Sequence, residues 1–538
     1  MTRITSIVAI LMLCALTSAW AAGDNEESGT TGERVLPNMS GIRVVDQPVQ
    51  MSALVALSDH HTVADPDQLP FMKYLQEETG VDWIFEAATG DAYTQKLNLL
   101  FAAGDLPEVV YSTAPQSFII EQSIAENIVP LNDLIENYTV NLKRILQDRD
   151  DVRRVLTLPN GNIYSLFGIY EEEHFNWLDP YFVNRVWLER LDLEMPTSLD
   201  ELRTVLIAFR DQDANGNGNP NDEVPLSWRE TGWGGQRIDT FFGAFGIRDS
   251  KDDNHIGYED GKVFVTATDP RYRRALEFLN GLYEERLLDA EAFTQNMSQL
   301  RAKTQNNQVG ATIFFWPVNI FGNELVDSYS LIEPLEGPGD APTAYLTRSI
   351  AGFNGYRYLI TPDCAYPEVA IRYADVLIDR GEMSLNARFG RDGHYWESLP
   401  DDKWTLNESK VPEGIGEVQH RAAATLFNQI AFIDRDLFSR HVGDPSSLSV
   451  KRTEWWKQVE PYVRAPAQPD FWFSRTEAAE VDRIATDLKS YAEEMRARFV
   501  LEGVTDASWD EYVSNVDRIG AGRLIEVYQK AYDSYFAD

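Results

Sequence analysis

The sequence predicts an α/β protein built around a parallel sheet, with a helix-rich final third. Two patterns carry this reading. From Ser52, short apolar runs alternate with amphipathic stretches in the order strand, helix, strand, helix, strand, which is the signature of βαβ units. From about Leu399 the periodicity becomes mostly helical through to the "DASWDEYVSNVDRIGAGRLIEVYQKAYDSYF" ending.

The elements follow in order. "SALVALS" (Ser52 to Ser58) reads as a strand, "LPFMKYLQEETG" as a helix and "VDWIFEAA" as a second strand. "DAYTQKLNLLFAAGD" is a helix that places Tyr93, Leu97, Leu100 and Phe101 on one stripe and closes at Gly104; "LPEVVYS" is a third strand. Near Asn176 a second region opens. There Ser198 and Glu201 form a capping box, and Leu199, Leu202, Val205, Leu206 and Phe209 recur at helical spacing. A helix over "DPRYRRALEFLNGLYEERLLD", a strand over "QVGATIFFW" and a further α/β stretch around "NGYRYLITPDCAYPEVAIRYADVLID" precede the helical third. No internal repeat is present.

Length and composition narrow the class. A chain of 538 residues exceeds one simple core, so two to four domains are expected. The first residues have the form of a secretory signal: Arg3, an apolar run from Ile7 to Leu16, and Ala19-Trp20-Ala21 before cleavage. Residues 1–21 are therefore expected to be a signal peptide and 22–49 a polar linker. Leu13 before Cys14 is bulky where a lipoprotein signal needs a small residue, which points to secretion rather than a lipid anchor. No later run reaches the ~20 apolar residues of a spanning helix. Loss of the signal leaves Cys364 alone, so no internal disulfide is expected. The net charge of −37 repels phosphate backbones and anionic lipid, which excludes a nucleic-acid or membrane-surface role. Charges fade over ~10 Å in moderate salt, so local arginines remain able to take an anionic solute.

The stretch "DQDANGNGNPNDEVP" concentrates oxygen ligands and glycines. Ca²⁺ takes six to eight oxygens, and alternate residues of a tight loop supply them. Two registers fit. One starts at Asp211 and uses Asp213, Asn215, Gly216 and Asp222. The other starts at Asp213 and uses Asn215, Asn217 and Gly218, with Asp222 and Glu223 closing. An Asx-rich turn whose side chains bond their own backbone is the alternative.

Other motifs are weak. Asp59-His60-His61 lacks the paired spacing of a zinc site. "TGWGGQR" lacks the P-loop lysine, and no G-x-S-x-G elbow occurs. With 85 Asp and Glu residues, glycosidase-like pairs arise by chance; Glu171-Glu172-Glu173 reads as a solvated run. The 13 tryptophans say more. Trp177, Trp228, Trp233, Trp316 and Trp396 each sit among hydrogen-bonding neighbours, which suits a sugar's apolar face and hydroxyl rim. Core packing is the alternative for any one of them.

Four blocks, "DAYTQKLNLLFAAGDLPEVVYS", "ENIVPLNDLIENYTVNLKRIL", "FVNRVWLERLDLEMPTSLDELRTVLIAFRDQDANGNGNPNDEVPL" and "ATDPRYRRALEFLNGLYEERLLDAEAFTQN", resemble the family 1 extracellular solute-binding proteins. The similarity is to the subgroup of LipO-like lipoproteins and alginate-oligosaccharide binders, and it runs through the C-terminal helices. It implies a type 2 periplasmic-binding-protein fold: two α/β lobes joined by a hinge, with a ligand cleft between them. It divides the chain into lobe 1 (50–170 and 327–398) and lobe 2 (171–326 and 399–538). The function it implies is non-catalytic capture of an oligosaccharide by a monomer that docks on ABC transporter permease subunits, with acidic, uronate-containing sugars among the candidates. A secreted glycoside hydrolase or polysaccharide lyase is the competing expectation.

The resemblance also selects the second loop register. It implies structural Ca²⁺ held by Asp213, Asn215, Asn217, the Asn219 carbonyl, Asp222 and Glu223, with one extra residue before the Asp-Glu pair. Family position assigns Tyr164, Trp316, Arg348, Tyr395 and Trp396 to the ligand, and Trp177 joins them from the aromatic pattern. Arg348 would fork onto a uronate carboxylate or make a salt bridge within the protein.

Overall fold

The computed structural model describes residues 35–171, 180–230, 238–250, 253–314, 318–339, 342–344, 353–412, 415–426, 430–444, 448–463 and 471–537. Strands β1 (Val49–Leu57), β2 (Val81–Thr89), β3 (Val109–Val110) and β4 (Leu166–Tyr170) come first. Next are β5 (Tyr181–Asn184), β6 (Val224–Ser227), the hairpin of β7 (Ile256–Glu259) and β8 (Lys262–Val265), β9 (Val309–Ile313) and β10 (Tyr329–Ile332). The chain continues through β11 (Phe353–Ile360), the hairpin of β12 (Trp396–Leu399) and β13 (Lys403–Leu406), and β14 (Phe432–Ile433).

Two sheets organise the fold. The first runs β14-β4-β11-β3-β1-β2 and the second β10-β5-β9-β6. In the first sheet β1 pairs in parallel with β2 and β3, β4 pairs in parallel with β14, and β11 runs against both β3 and β4. Five strands therefore point one way and β11 the other.

Local chemistry accounts for the elements that match expectation. The helix Pro70–Thr79 begins on a proline and ends at Gly80, whose φ of 77° only glycine adopts readily. In helix Leu199–Asp211, Leu199, Leu202, Val205, Leu206 and Phe209 are all buried, and Ser198 caps Glu201 N–H. The Glu201 carboxylate turns instead to Thr197, accepting from its N–H at 2.8 Å and its hydroxyl at 2.7 Å. The capping box is thus half made.

Sheet membership moves three expected boundaries. β10, expected in lobe 1, pairs with β5 in the second sheet, Tyr329 opposite Asn184. β14, expected in lobe 2, pairs with β4 in the first, Phe432 opposite Ile169. The expected linker 22–49 is already folded before its end: Val44 and Val45 are buried and donate to Thr79 O. Two-residue strands such as β14 carry too little periodicity to be assigned from sequence.

The helical third belongs to neither lobe alone. At its start, Trp472 Nε1 donates to Val155 O at 2.7 Å and Gln116 to Phe471 O at 2.8 Å, both on the first lobe. The helix Arg475–Glu502 then spans ~42 Å at 1.5 Å per residue. Near its far end Asn280, in the second lobe, donates to Val500 O at 3.0 Å. No described helix is long and apolar enough to cross a membrane.

Candidate functional site

Strand direction locates the cleft. In open α/β sheets, solutes bind outside the carboxyl ends of the strands. The carboxyl ends of β1, β2, β3, β4 and β14 lie on one edge of the first sheet, beside the amino end of β11. In the second sheet, Ile332 and Ile313 both pair with Tyr181, so the carboxyl ends of β10, β9 and the parallel β6 share an edge with the amino end of β5. The chain passes between the two sheets after β4, before β11, and after β14, where helix Leu448–Val459 joins the second lobe's Phe182–Phe314–Phe321 cluster, and it is back on the first lobe at Phe471 and Trp472. Facing edges joined by crossing segments make a cleft with a hinge at its base.

Polar groups collect on these edges. After β1, His61 is half-buried: Nδ1 accepts from Ser58 N–H at 3.0 Å while Nε2 lies 3.1 Å from Thr425 O. Burial holds its pKa below the ordinary imidazole value. With both ring nitrogens engaged, His61 has no lone pair left for zinc, in keeping with the weak motif. After β3, the Thr113 hydroxyl accepts from Arg357 at 2.9 Å and its carbonyl from Tyr93 at 3.0 Å. After β6 come buried Trp228 and Arg229, then Glu230, which accepts from Trp228 Nε1 at 2.7 Å and pairs with Arg496. None of Ser58, Thr113, Arg229 or Arg357 was singled out from sequence. The signal for them is position just past a strand's carboxyl end, or opposite one, and it needs the strand directions.

The expected ligand residues fare differently. Trp177, Trp316 and Arg348 lie outside the described residues. Tyr164 precedes β4, at the sheet edge away from the crossings; its hydroxyl accepts from Asn160 at 3.2 Å and Asn162 at 3.3 Å. Tyr395 and Trp396 are 1% and 2% exposed. Trp396 Nε1 donates to Gly390 O at 2.7 Å, and Tyr395 packs on Phe389 and His420. Both rings serve as packing, because each finds apolar cover and Trp396 also an internal acceptor. Glu171, read as solvated, is 4% exposed and fully engaged.

The acidic loop does converge. Asp211 ends its helix in a bidentate pair with Arg210, which engages its carboxylate away from the loop. Asn217 N–H donates to Asn215 Oδ1 at 2.9 Å, Gly218 N–H to Asp213 Oδ2 at 2.9 Å, and Asn219 N–H to Asn217 Oδ1 at 2.7 Å. The first and last are Asx-turn bonds, and the Asp213 carboxylate reaches across the loop to Gly218. Asn215 and Asn217 amides both reach Asp222, at 3.3 and 2.9 Å. Gly216 has φ 73°, and a Cβ there would lie 2.5 Å from the Arg190 guanidinium carbon. Two carboxylate oxygens, Asp213 Oδ1 and Glu223 Oε2, are buried with no hydrogen-bond partner. Burial, then the nearby Asp222 and Asp213 charges, pushes the Glu223 carboxyl above its ordinary value. Among the described residues no three carboxylates, histidines or cysteines make a metal centre by themselves. A hard cation here would need amide and backbone oxygens beside the carboxylates. Orphaned buried carboxylate oxygens are costly, and their chemistry fits a bound cation.

Comparison with known proteins agrees with this geometry. Residues 61–382 match the family model described as bacterial extracellular solute-binding protein. The fructooligosaccharide ABC transporter substrate-binding protein FusA of Streptococcus pneumoniae is 26% identical over 98% of both chains. The polygalacturonan/rhamnogalacturonan-binding protein YtcQ of Bacillus subtilis is 21% identical over 90% of this chain and 92% of its own length. Among solved structures, FusA with kestose superposes with a TM-score of 0.78 at 26% identity, covering 91% of this chain and all of that one. An EF-hand mutant of FusA matches equally, at 25% identity. The alginate-binding protein AlgQ2 shares the fold at a TM-score of 0.71 and 22% identity, over 92% of this chain and 99% of its own. The two-lobed architecture is that of the type 2 periplasmic-binding proteins, and the chain belongs to the bacterial extracellular solute-binding family, whose members hold a solute rather than transform it.

Proposed function

We propose that this chain is the substrate-binding component of an ABC importer and that it captures an oligosaccharide by closing its two lobes. The observation that supports this most strongly is similarity to FusA over nearly the whole length, in sequence and in fold. Closure follows from the cleft's construction. A solute touching the edges of both sheets gains its full set of contacts only when they meet, so it shifts the equilibrium toward the closed form. The sugar's hydroxyls would meet groups such as Thr113, Arg357 and Arg229, and its apolar face a flat aromatic ring. Trp177 and Trp316 remain the candidates for that ring, and Arg348 for a uronate carboxylate. Export through the signal at residues 1–21 and hand-over to permease subunits complete this reading.

We also propose a structural calcium ion in the loop after helix Leu199–Asp211. Asp213, Asn215, Asn217, the Asn219 carbonyl, Asp222 and Glu223 would hold it. When bound, the ion neutralises three clustered carboxylates and fixes the loop that leads into β6. The EF-hand mutant of FusA supports this, as do the two orphaned oxygens.

The saccharide assignment is tested by titrating kestose, an oligogalacturonide and an alginate oligosaccharide into the pure protein. Tryptophan fluorescence is followed while the sugar is recovered for mass analysis. One of the three is expected to give a saturable spectral change and to return intact. Release of shorter or unsaturated sugar would support the enzyme reading instead.

A further inference from the structure

We propose that Glu171 is a positioning residue for lobe closure, tying together the first-lobe roots of two crossing segments, the one after β4 and the one after β14. The inference rests on the reading that the lobes close on a solute. Glu171 follows the last residue of β4, where the first crossing leaves the sheet. Its own N–H donates to Ile433 O at 2.7 Å, the last residue of β14. One carboxylate oxygen takes Arg149 Nη2 at 2.8 Å; the other takes the backbone N–H of Arg435 at 3.1 Å. Arg435 opens the helix Arg435–Ser439, through which the third crossing leaves. A single buried side chain therefore spans both exits.

A second clamp reinforces the same root. Asp434 caps that helix by accepting from Leu437 N–H at 2.9 Å, and its other oxygen pairs with Arg380. The Arg380 carbonyl accepts from Arg440 at 3.2 Å. Arg149 is itself fixed by Asp151, with Nε to Oδ1 at 2.8 Å and Nη2 to Oδ2 at 2.6 Å. The crossing before β11 is anchored on the opposite side. Gly339 N–H donates to Ala244 O at 2.9 Å, and a Cβ on Gly337 would lie 2.4 Å from that oxygen, so this segment is packed on the second lobe.

The physical consequence is a coupled hinge. A buried ion pair adds little net stability over an apolar pair, but its directional bonds fix a register. Here the register is between two strand ends. With the carboxylate in place the first and third crossings start from one rigid block, and the lobes rotate about a single axis. Without it, only the backbone pairing of β4 with β14 holds the two roots together, helix Arg435–Ser439 is released from β4, and the ligand-free lobes sample a wider set of orientations.

The test reads lobe geometry in the absence of sugar, so it stands apart from the outcome of the sugar titration. Spin labels are placed at Glu78→Cys on the first lobe and Asp200→Cys on the second, both exposed. Cys364 is buried and its thiol is pushed up to about 12, so it stays unlabelled. In Glu171→Gln the amide oxygen still accepts from Arg435 N–H, which preserves the fold while the ion pair is lost. The inter-label distance distribution is expected to broaden and shift to longer distances relative to wild type. Arg149→Lys, which keeps the charge but not the fork, is expected to broaden it less, and serves as the reading if Glu171→Gln is unstable. A lowered melting temperature with an unchanged distance distribution in the folded variant would mean that Glu171 is structural only, and would overturn the proposal.

Discussion

Chelating divalent cations is expected to lower the melting temperature of the wild-type protein by about 5–10 °C, and Asp213→Ala is expected to melt at that lower temperature with or without chelator. An ion present at 100 to 1,000 times its dissociation constant adds about 3–4 kcal/mol to the folded state, which in a lobe of this size corresponds to a shift of that order. The loop explains the sign. Asp213 and Glu223 each carry a buried oxygen without a hydrogen-bond partner, and burial, then the neighbouring carboxylates, raises the pKa of Glu223. Without the ion, three carboxylates repel one another across a few residues. Asp211→Ala serves as the control: its carboxylate is engaged outward with Arg210, so the chelator response is expected to persist. Identical wild-type melting curves with and without chelator would reject the calcium assignment.

Asp375→Ala is expected to cost about 3–5 kcal/mol in chemical denaturation, because it leaves the Arg372 guanidinium buried without its counter-charge. Asp375 is fully buried and accepts from Val140 N–H at 2.9 Å and Leu142 N–H at 2.7 Å, while pairing with Arg372. Arg372 in turn donates to Asn38 O at 3.0 Å and Gly41 O at 2.9 Å. Loss of the carboxylate thus strands two backbone donors and loosens the segment leading into β1. Asp375→Asn keeps one acceptor and is expected to fall between. A cost within 0.5 kcal/mol for the alanine variant would show that water or a neighbour replaces the carboxylate, contrary to this account.

The sequence made visible what is local and periodic. The stripe of Leu199, Leu202, Val205, Leu206 and Phe209 is buried as a helical face, and Gly80 and Gly104 end their helices in left-handed turns. The acidic loop was legible because its oxygen-bearing side chains are close in sequence; the resemblance selected the second register, and the pairing of Asp211 with Arg210 accords with it. The cleft was not legible in the same way. Its edges join strand ends far apart in the chain, and β14 is two residues long, below any periodic signal. Tyr395 and Trp396 illustrate the cost: polar neighbours suggested a solute, but Asn386 and Gly390 supply the indole its acceptors inside the fold. Glu171 erred in the opposite direction. A run of three glutamates reads as solvated, yet the first of them follows a strand end and is drawn inward by Arg149.

Small-angle X-ray scattering of the protein with and without a saturating sugar from the panel addresses the central claim most directly. Two lobes that close on a solute predict a smaller radius of gyration in the presence of the sugar that changes tryptophan fluorescence, and none with the sugars that do not. Superimposable scattering curves at saturation, with the sugar demonstrably bound, would contradict closure and with it the account of how this chain holds its solute.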